Sequence, residues 1–182
     1  MRTLSEHIMD IVQNSVRAEA TLIEVIVEES KINNLCFLTI TDNGCGMDNS
    51  ELQQAANPFF TSRKTRKVGL GISLLKQNAG MAGGELKIDS SSGEGTTVSA
   101  TFGLSHIDKP PLGDVWETLY QLWLSYPEIE LNYRHKTDAG DFQLGSNDLK
   151  EVLGEVSLQQ KEIRNGIIEL IKSNLNEIET TK

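Results

Sequence analysis

Four polar residues near the start of the sequence follow one another at steps of three and four. His7, Asp10, Asn14 and Arg17 would therefore share one face of a helix. Carboxylate and amide side chains are among the groups that proteins use for proton transfer and for binding hard cations. A stripe of this kind is nevertheless most often the solvated side of an amphipathic helix, and taken alone we interpret it so.

Two glycine-containing segments lie further along the chain. The first is Asp42-Asn-Gly-Cys-Gly-Met47, where the glycines allow backbone turns that other residues resist. The second is Gly69-Leu-Gly71, which leads into an apolar stretch typical of a helix, and a helix N-terminus is favourable for anions. Between them lies a basic run at Arg63, Lys64, Arg66 and Lys67. A charge run is usually a solvated loop, and taken alone we interpret it so.

Periodicity predicts the elements that carry these residues. Thr3-Leu-Ser-Glu6 has the spacing of a capping box, and apolar residues follow it at helical spacing. Alternating residues on either side of a polar turn at 31–34 predict a hairpin with one buried face. The predicted elements are helices over 3–20, 49–56 and 70–81, strands over 23–28, 36–41, 85–89 and 96–102, and, after prolines at 110 and 111, a helix to 125, a hairpin over 129–144 and two helices over 146–153 and 157–178.

Composition narrows the possible partners. The 182 residues include 17 Lys and Arg against 26 Asp and Glu, a formal net charge of −9. This balance argues against nucleic acid or an anionic membrane as the main partner, since both require an excess of cations. No apolar stretch approaches the roughly 20 residues of a membrane span. Cys36 and Cys45 do not match a zinc-pair spacing, and we expect two buried thiols and a cytoplasmic location.

The order of these motifs resembles that of the GHKL ATP-binding superfamily, which includes gyrase, heat-shock chaperones, histidine kinases and mismatch-repair ATPases. The resemblance covers residues 4–104. It implies an α+β fold of Bergerat type, in which helices pack on one face of a mixed, mostly antiparallel sheet. We therefore expect an ATP-binding domain over 1–105 and a small α+β C-terminal domain of unassigned role over 106–182.

The resemblance implies a role for the first helix. Asn14 matches the asparagine whose amide oxygen holds Mg²⁺ on the ATP phosphates, and Mg²⁺ prefers such hard oxygen ligands. Asp10 matches the position where hydrolysing members carry a glutamate that activates water. Aspartate is one methylene shorter than glutamate, which leaves three roles open for Asp10: a general base, a group that contacts Mg²⁺ through its bound water, or a positioning group. For His7 and Arg17 we expect a solvated helix face.

The resemblance also implies an adenine pocket. Asp42 matches the aspartate that accepts a hydrogen bond from the adenine amine, and Thr96 matches the threonine that joins it through water. Gly44, Gly46 and Met47 belong to the same motif, and the two glycines would let the backbone pass beside the base.

The phosphates would lie at the second glycine segment. Gly69, Leu70 and Gly71 match the motif at the start of the post-lid helix. Lys64 and Arg66 belong to the basic lid that would neutralise the γ-phosphate. Phe59 and Phe60, just before the lid, resemble the lid anchors of bacterial histidine kinases.

Three functions remain open at the level of sequence. The first, which we favour, is a kinase related to histidine kinases or anti-sigma regulators that phosphorylates a separate protein. The second is a conformational switch that binds or slowly hydrolyses ATP and acts through the C-terminal segment. The third is a non-catalytic nucleotide-binding module. The expected ligands are ATP and Mg²⁺, with a protein partner in trans; a homodimer is compatible with the sequence.

Overall fold

A computed structural model describes residues 1–55 and 70–181 of the chain. Strands and helices follow one another along the chain in the order predicted from periodicity. Their bounds are α1 Leu4–Arg17, β1 Leu22–Ser30, β2 Leu35–Asp42, α2 Asn49–Ala55, α3 Leu70–Met81, β3 Leu86–Ser91, β4 Gly95–Gly103, α4 Val115–Ser125, β5 Glu130–Thr137, β6 Asp141–Gly145, α5 Ser146–Leu153 and α6 Lys161–Glu177.

One six-stranded sheet organises the chain, with strand order β3-β4-β2-β1-β5-β6. Every neighbouring pair is antiparallel except β1 and β5. Alternate residues of β1, among them Ile23, Val25 and Val27, are fully buried on the face that α1 covers. Helix α3 packs against β3 and β4 beside α1. The predicted mixed, mostly antiparallel sheet with helices on one face is confirmed.

Helix α1 carries the first polar stripe, and its ends follow from local chemistry. Thr3 is the N-cap, and its hydroxyl accepts a hydrogen bond from the Glu6 amide at 3.2 Å. The helix ends at Arg17, three residues before the predicted end. Glu19 adopts a φ of +61°, which cannot continue a right-handed helix.

The C-terminal segment joins the same sheet. Strand β5 pairs in parallel with β1, and α4, which precedes β5, packs on α1 and α6. The aromatic residues of α4 contribute to the core, and Trp116 packs against it while partly buried. Tyr120 and Trp123 are buried, and the Trp123 indole donates to the Leu131 carbonyl at 3.0 Å. Both halves of the chain thus share a sheet and a core, while the division into two domains at 105/106 remains a prediction.

The two cysteines differ in their surroundings. Cys36 lies on β2 and is buried, and burial raises the pKa of its thiol to about 12. Cys45 is exposed in the glycine loop after β2, so the expectation of two buried thiols is wrong for this residue. Across the described ranges 1–55 and 70–181, no helix combines the length and apolar character that a membrane crossing requires.

Candidate functional site

Three polar residues from adjacent strands form a row at one end of the sheet. Asp42 on β2 lies opposite Thr96 on β4, and Thr96 lies opposite Ser90 on β3. Directly opposite residues point to the same face of a sheet, so all three point to the helix side. The next row on that face is apolar, with Ile40, Val98 and Ile88. The polar row of Asp42, Thr96 and Ser90 therefore borders an apolar floor.

The carboxylate of Asp42 is fixed by two donors. The Ser15 hydroxyl on α1 donates to Oδ2 at 2.6 Å, and the Gly44 amide donates to Oδ1 at 2.9 Å. A carboxylate has about four acceptor positions, so two of them remain after these bonds. Asp42 is half-buried and thus presents an oriented acceptor at the edge of the apolar floor.

The glycine loop needs its glycines because the backbone passes close to its neighbours. Gly46 has a φ of +65°, and a Cβ there would lie 1.9 Å from the carbonyl oxygen of Ser91. A Cβ on Gly44 would lie 2.7 Å from the carbonyl oxygen of Ala18. The Cys45 amide donates to that same Ala18 oxygen at 2.8 Å. The loop is therefore held between the end of α1 and the end of β3.

Ser90 connects the glycine loop to Thr96. Its hydroxyl oxygen accepts from the Met47 amide at 2.9 Å and donates to the Gly95 carbonyl at 2.9 Å. The hydroxyl of Thr96 lies 2.9 Å from the same oxygen. Met47, the last residue of the predicted adenine motif, is thus placed beside the polar row.

A second cluster forms where α1 meets the start of α3. A Cβ on Gly71 would lie 1.6 Å from Oδ2 of Asp10, so the carboxylate rests directly on the backbone of the first turn of α3. Asn14, one turn further along α1, accepts from the Arg17 guanidinium at 2.8 Å. Its amide oxygen and the Asp10 carboxylate are hard ligands, which fits Mg²⁺.

His7 is buried between α1 and α3, whereas the sequence predicted a solvated position. Its side chain is fully inaccessible, and the Asn78 amide nitrogen on α3 lies 2.9 Å from Nε2. Burial, with a smaller contribution from the charged N-terminus, lowers the pKa of His7 to about 4. Among the described residues, Nδ1 has no hydrogen-bond partner. Arg17 is exposed, as predicted.

The predicted site residues separate into three groups. The first group lies around the polar row, where hydrogen bonds connect the glycine loop to the strands, and consists of Asp42, Gly44, Gly46, Met47 and Thr96. A second group, Asp10, Asn14 and Gly71, lies where α1 meets α3, and Ser15 on α1 links the two groups. The third consists of Lys64, Arg66 and Gly69, which lie outside the described residues, together with Leu70, which begins α3.

Two residues that hold the site were missed by sequence reasoning. Ser15 immediately follows Asn14, but a serine within a helix carries no distinctive signal. Ser90 is the first of three consecutive serines before a turn, and only the strand register separates it from Ser91 and Ser92.

The residues of both clusters lie within the range of the chain that a known protein family matches. A family model described as histidine kinase-, DNA gyrase B-, and HSP90-like ATPase matches residues 2–106. A putative sensor protein of Shewanella frigidimarina is 36% identical over 107 residues, which is 58% of this chain and 16% of the relative. The DNA mismatch repair protein MutL of Listeria monocytogenes serotype 4b is 22% identical over 187 residues, covering 82% of this chain and 30% of the relative.

A solved structure agrees with the fold. The crystal structure of the N-terminal domain of a DNA repair protein superimposes with a TM-score of 0.60 at 17% identity, over 86% of this chain and 57% of that one. A match over 82% of the chain cannot be contained in residues 2–106, so the likeness to MutL extends beyond that range. The chain spans less than a third of the length of these two curated relatives.

Proposed function

This chain belongs to the family of histidine kinase-, DNA gyrase B- and HSP90-like ATPases, and on that premise we propose that it binds ATP with Mg²⁺ at the two clusters joined by α1. The observation that carries the proposal is the Asp42 carboxylate, which Ser15 and Gly44 orient beside Thr96 at the edge of an apolar floor. An oriented acceptor there suits the amine of adenine and opposes the carbonyl of guanine.

The phosphates would lie at the start of α3. Gly71 has no side chain, so the backbone of the first helical turn is open towards Asp10, and a helix N-terminus favours anions. Mg²⁺ would neutralise phosphate charge, and Asn14 would hold it through its amide oxygen. That oxygen has two lone pairs, one of which accepts from the Arg17 guanidinium. Neutralisation of the γ-phosphate by one or more cations of the basic run, Arg63, Lys64, Arg66 and Lys67, stays a prediction from the sequence.

For the reaction, we propose phosphoryl transfer to a separate protein. The support is the match of the family model to residues 2–106, which include both clusters, and the likeness to a putative sensor protein over 58% of the chain. Two of the three histidines, His7 and His135, are fully buried, which favours an acceptor outside the chain.

ATP hydrolysis coupled to a conformational change is the second candidate. It is favoured by the carboxylate of Asp10, which lies against the first turn of α3 where the phosphates would be, and a carboxylate there could take a proton from water. The likeness to MutL, which extends beyond residue 106, also favours it.

One experiment separates the two reactions. The purified chain is incubated with γ-labelled ATP, Mg²⁺ and cell extract, and both labelled protein and free phosphate are measured. Phosphoryl transfer predicts that the label appears on a discrete protein and that this labelling is absent with the Asp42→Asn variant. Phosphate release without protein label, abolished by Asp10→Ala, would instead establish hydrolysis. ATP binding with neither product would leave a non-catalytic module.

A further inference from the structure

The hydrogen bonds around Ser90 determine which way the hydroxyl of Thr96 points. The Met47 amide can only donate, and the Gly95 carbonyl can only accept. Ser90 contacts both at 2.9 Å, so its one proton goes to Gly95 and one of its lone pairs receives the Met47 N–H. The Thr96 hydroxyl, also 2.9 Å away, must then donate its own proton to the remaining lone pair of Ser90.

As a consequence, Thr96 and Asp42 both present hydrogen-bond acceptors at the edge of the proposed adenine pocket, which we call the pocket edge. With its proton committed to Ser90, Thr96 offers only lone pairs to a ligand. The carboxylate of Asp42, directly opposite on β2, likewise offers only acceptor positions, two of which the Ser15 and Gly44 donors occupy. A water placed between Asp42 and Thr96 would donate both of its protons to them and could only accept from the ligand.

We infer that Ser90 is a positioning residue which, by orienting the Thr96 proton, makes the site select a 6-aminopurine over a 6-oxopurine nucleotide. This inference rests on the proposed ATP binding and adds to it the residue that sets the polarity of the pocket edge. Without the Ser90 hydroxyl, Thr96 is free to rotate and to donate to a 6-oxo group. Ser90 does not need to touch the base for this effect.

The test compares ATP with inosine triphosphate, which carries an oxo group in place of the amine. Dissociation constants are measured by calorimetry with Mg²⁺ for the wild type, Ser90→Ala and Ser90→Thr. Ser90→Ala is expected to lower the preference for ATP over inosine triphosphate about 3- to 10-fold, the range of one hydrogen bond. Ser90→Thr keeps the hydroxyl and is expected to keep the preference.

Two further variants separate orientation from general loosening of the loop. Ser91→Ala alters the adjacent exposed side chain of β3 and is expected to match the wild type. Thr96→Val removes the hydroxyl that Ser90 orients, so adding Ser90→Ala to it should not change the preference further. If Ser90→Ala does not fold, Ser90→Cys retains the side-chain volume with a much weaker hydrogen-bonding group and takes its place.

Several results would overturn the inference. Equal weakening of both nucleotides in Ser90→Ala would show that Ser90 only supports the loop, and an unchanged preference would show that it has no influence on Thr96. A further change in the Thr96→Val background would mean that Ser90 acts by another route. A wild type that binds neither nucleotide refutes the proposed function itself, and the inference fails with it.

Discussion

The buried imidazole of His7 should make the protein lose stability in mild acid. In the folded chain the pKa of His7 is lowered from 6.5 to about 4, mainly by burial. Below pH 6.5 the unfolded chain takes up a proton on this residue and the folded chain does not, so the free energy of unfolding decreases as the pH is lowered. The difference of about 2.5 pH units corresponds to about 3 kcal/mol, lost progressively between pH 6.5 and pH 4.

Urea unfolding from pH 7 to pH 4 measures this effect, with His7→Gln as the matched variant. Glutamine can still accept from Asn78 on α3 but does not titrate. Carboxylates that titrate in the same range affect both proteins and largely cancel in the difference. The wild type should lose about 3 kcal/mol relative to His7→Gln as the pH falls from 7 to 4. A difference that stays constant over this range would refute the burial of His7 between α1 and α3.

Two glycines provide further predictions. Gly71→Ala should change the free energy of unfolding by no more than about 1 kcal/mol, because alanine favours the helix, but it should reduce turnover of ATP about 100-fold by displacing the Asp10 carboxylate. The control is Gly80→Ala, which adds its methyl group in open space on α3. Equal turnover in both variants would contradict the contact between Gly71 and Asp10. Gly46→Ala should destabilise the chain more than Gly93→Ala in urea unfolding. Both glycines have a positive φ, which costs an alanine about 1–2 kcal/mol of stability, but only at Gly46 would the Cβ also meet a backbone oxygen, at 1.9 Å. Equal losses of unfolding free energy in the two variants would contradict that close approach.

Local patterns in the sequence predicted most of the elements. Alternation in β1 and β2 indicated a hairpin, and the capping residue Thr3 marked the start of α1. The sequence could not indicate that β5 pairs in parallel with β1, because pairing between distant strands depends on the packing of α4 rather than on local periodicity. The C-terminal segment was therefore predicted as a separate small domain, although its strands continue the first sheet.

Contacts between distant elements, which local patterns do not reveal, also explain which residues of the candidate site the sequence did not predict. The motif order predicted Asp42 and Thr96 as residues of one site, and the strand register places them opposite each other. His7 was predicted to be solvated because its helical face is polar, but α3 covers that part of α1 and excludes water. Ser15 and Ser90 act through hydrogen bonds to other site residues, and such contacts between separate elements leave no spacing signal in the sequence.

Nucleotide binding by the Asp42 pocket is the central claim, and thermal unfolding with and without Mg-ATP tests it most directly. At an ATP concentration 100 times the dissociation constant, the wild type should gain about 2.7 kcal/mol of stability. Asp42→Asn replaces an oriented carboxylate and should lose this gain, whereas Asp89→Asn, on an exposed position of β3, should retain it. A wild type that Mg-ATP does not stabilise, or an Asp42→Asn variant stabilised as strongly as the wild type, would contradict the assignment.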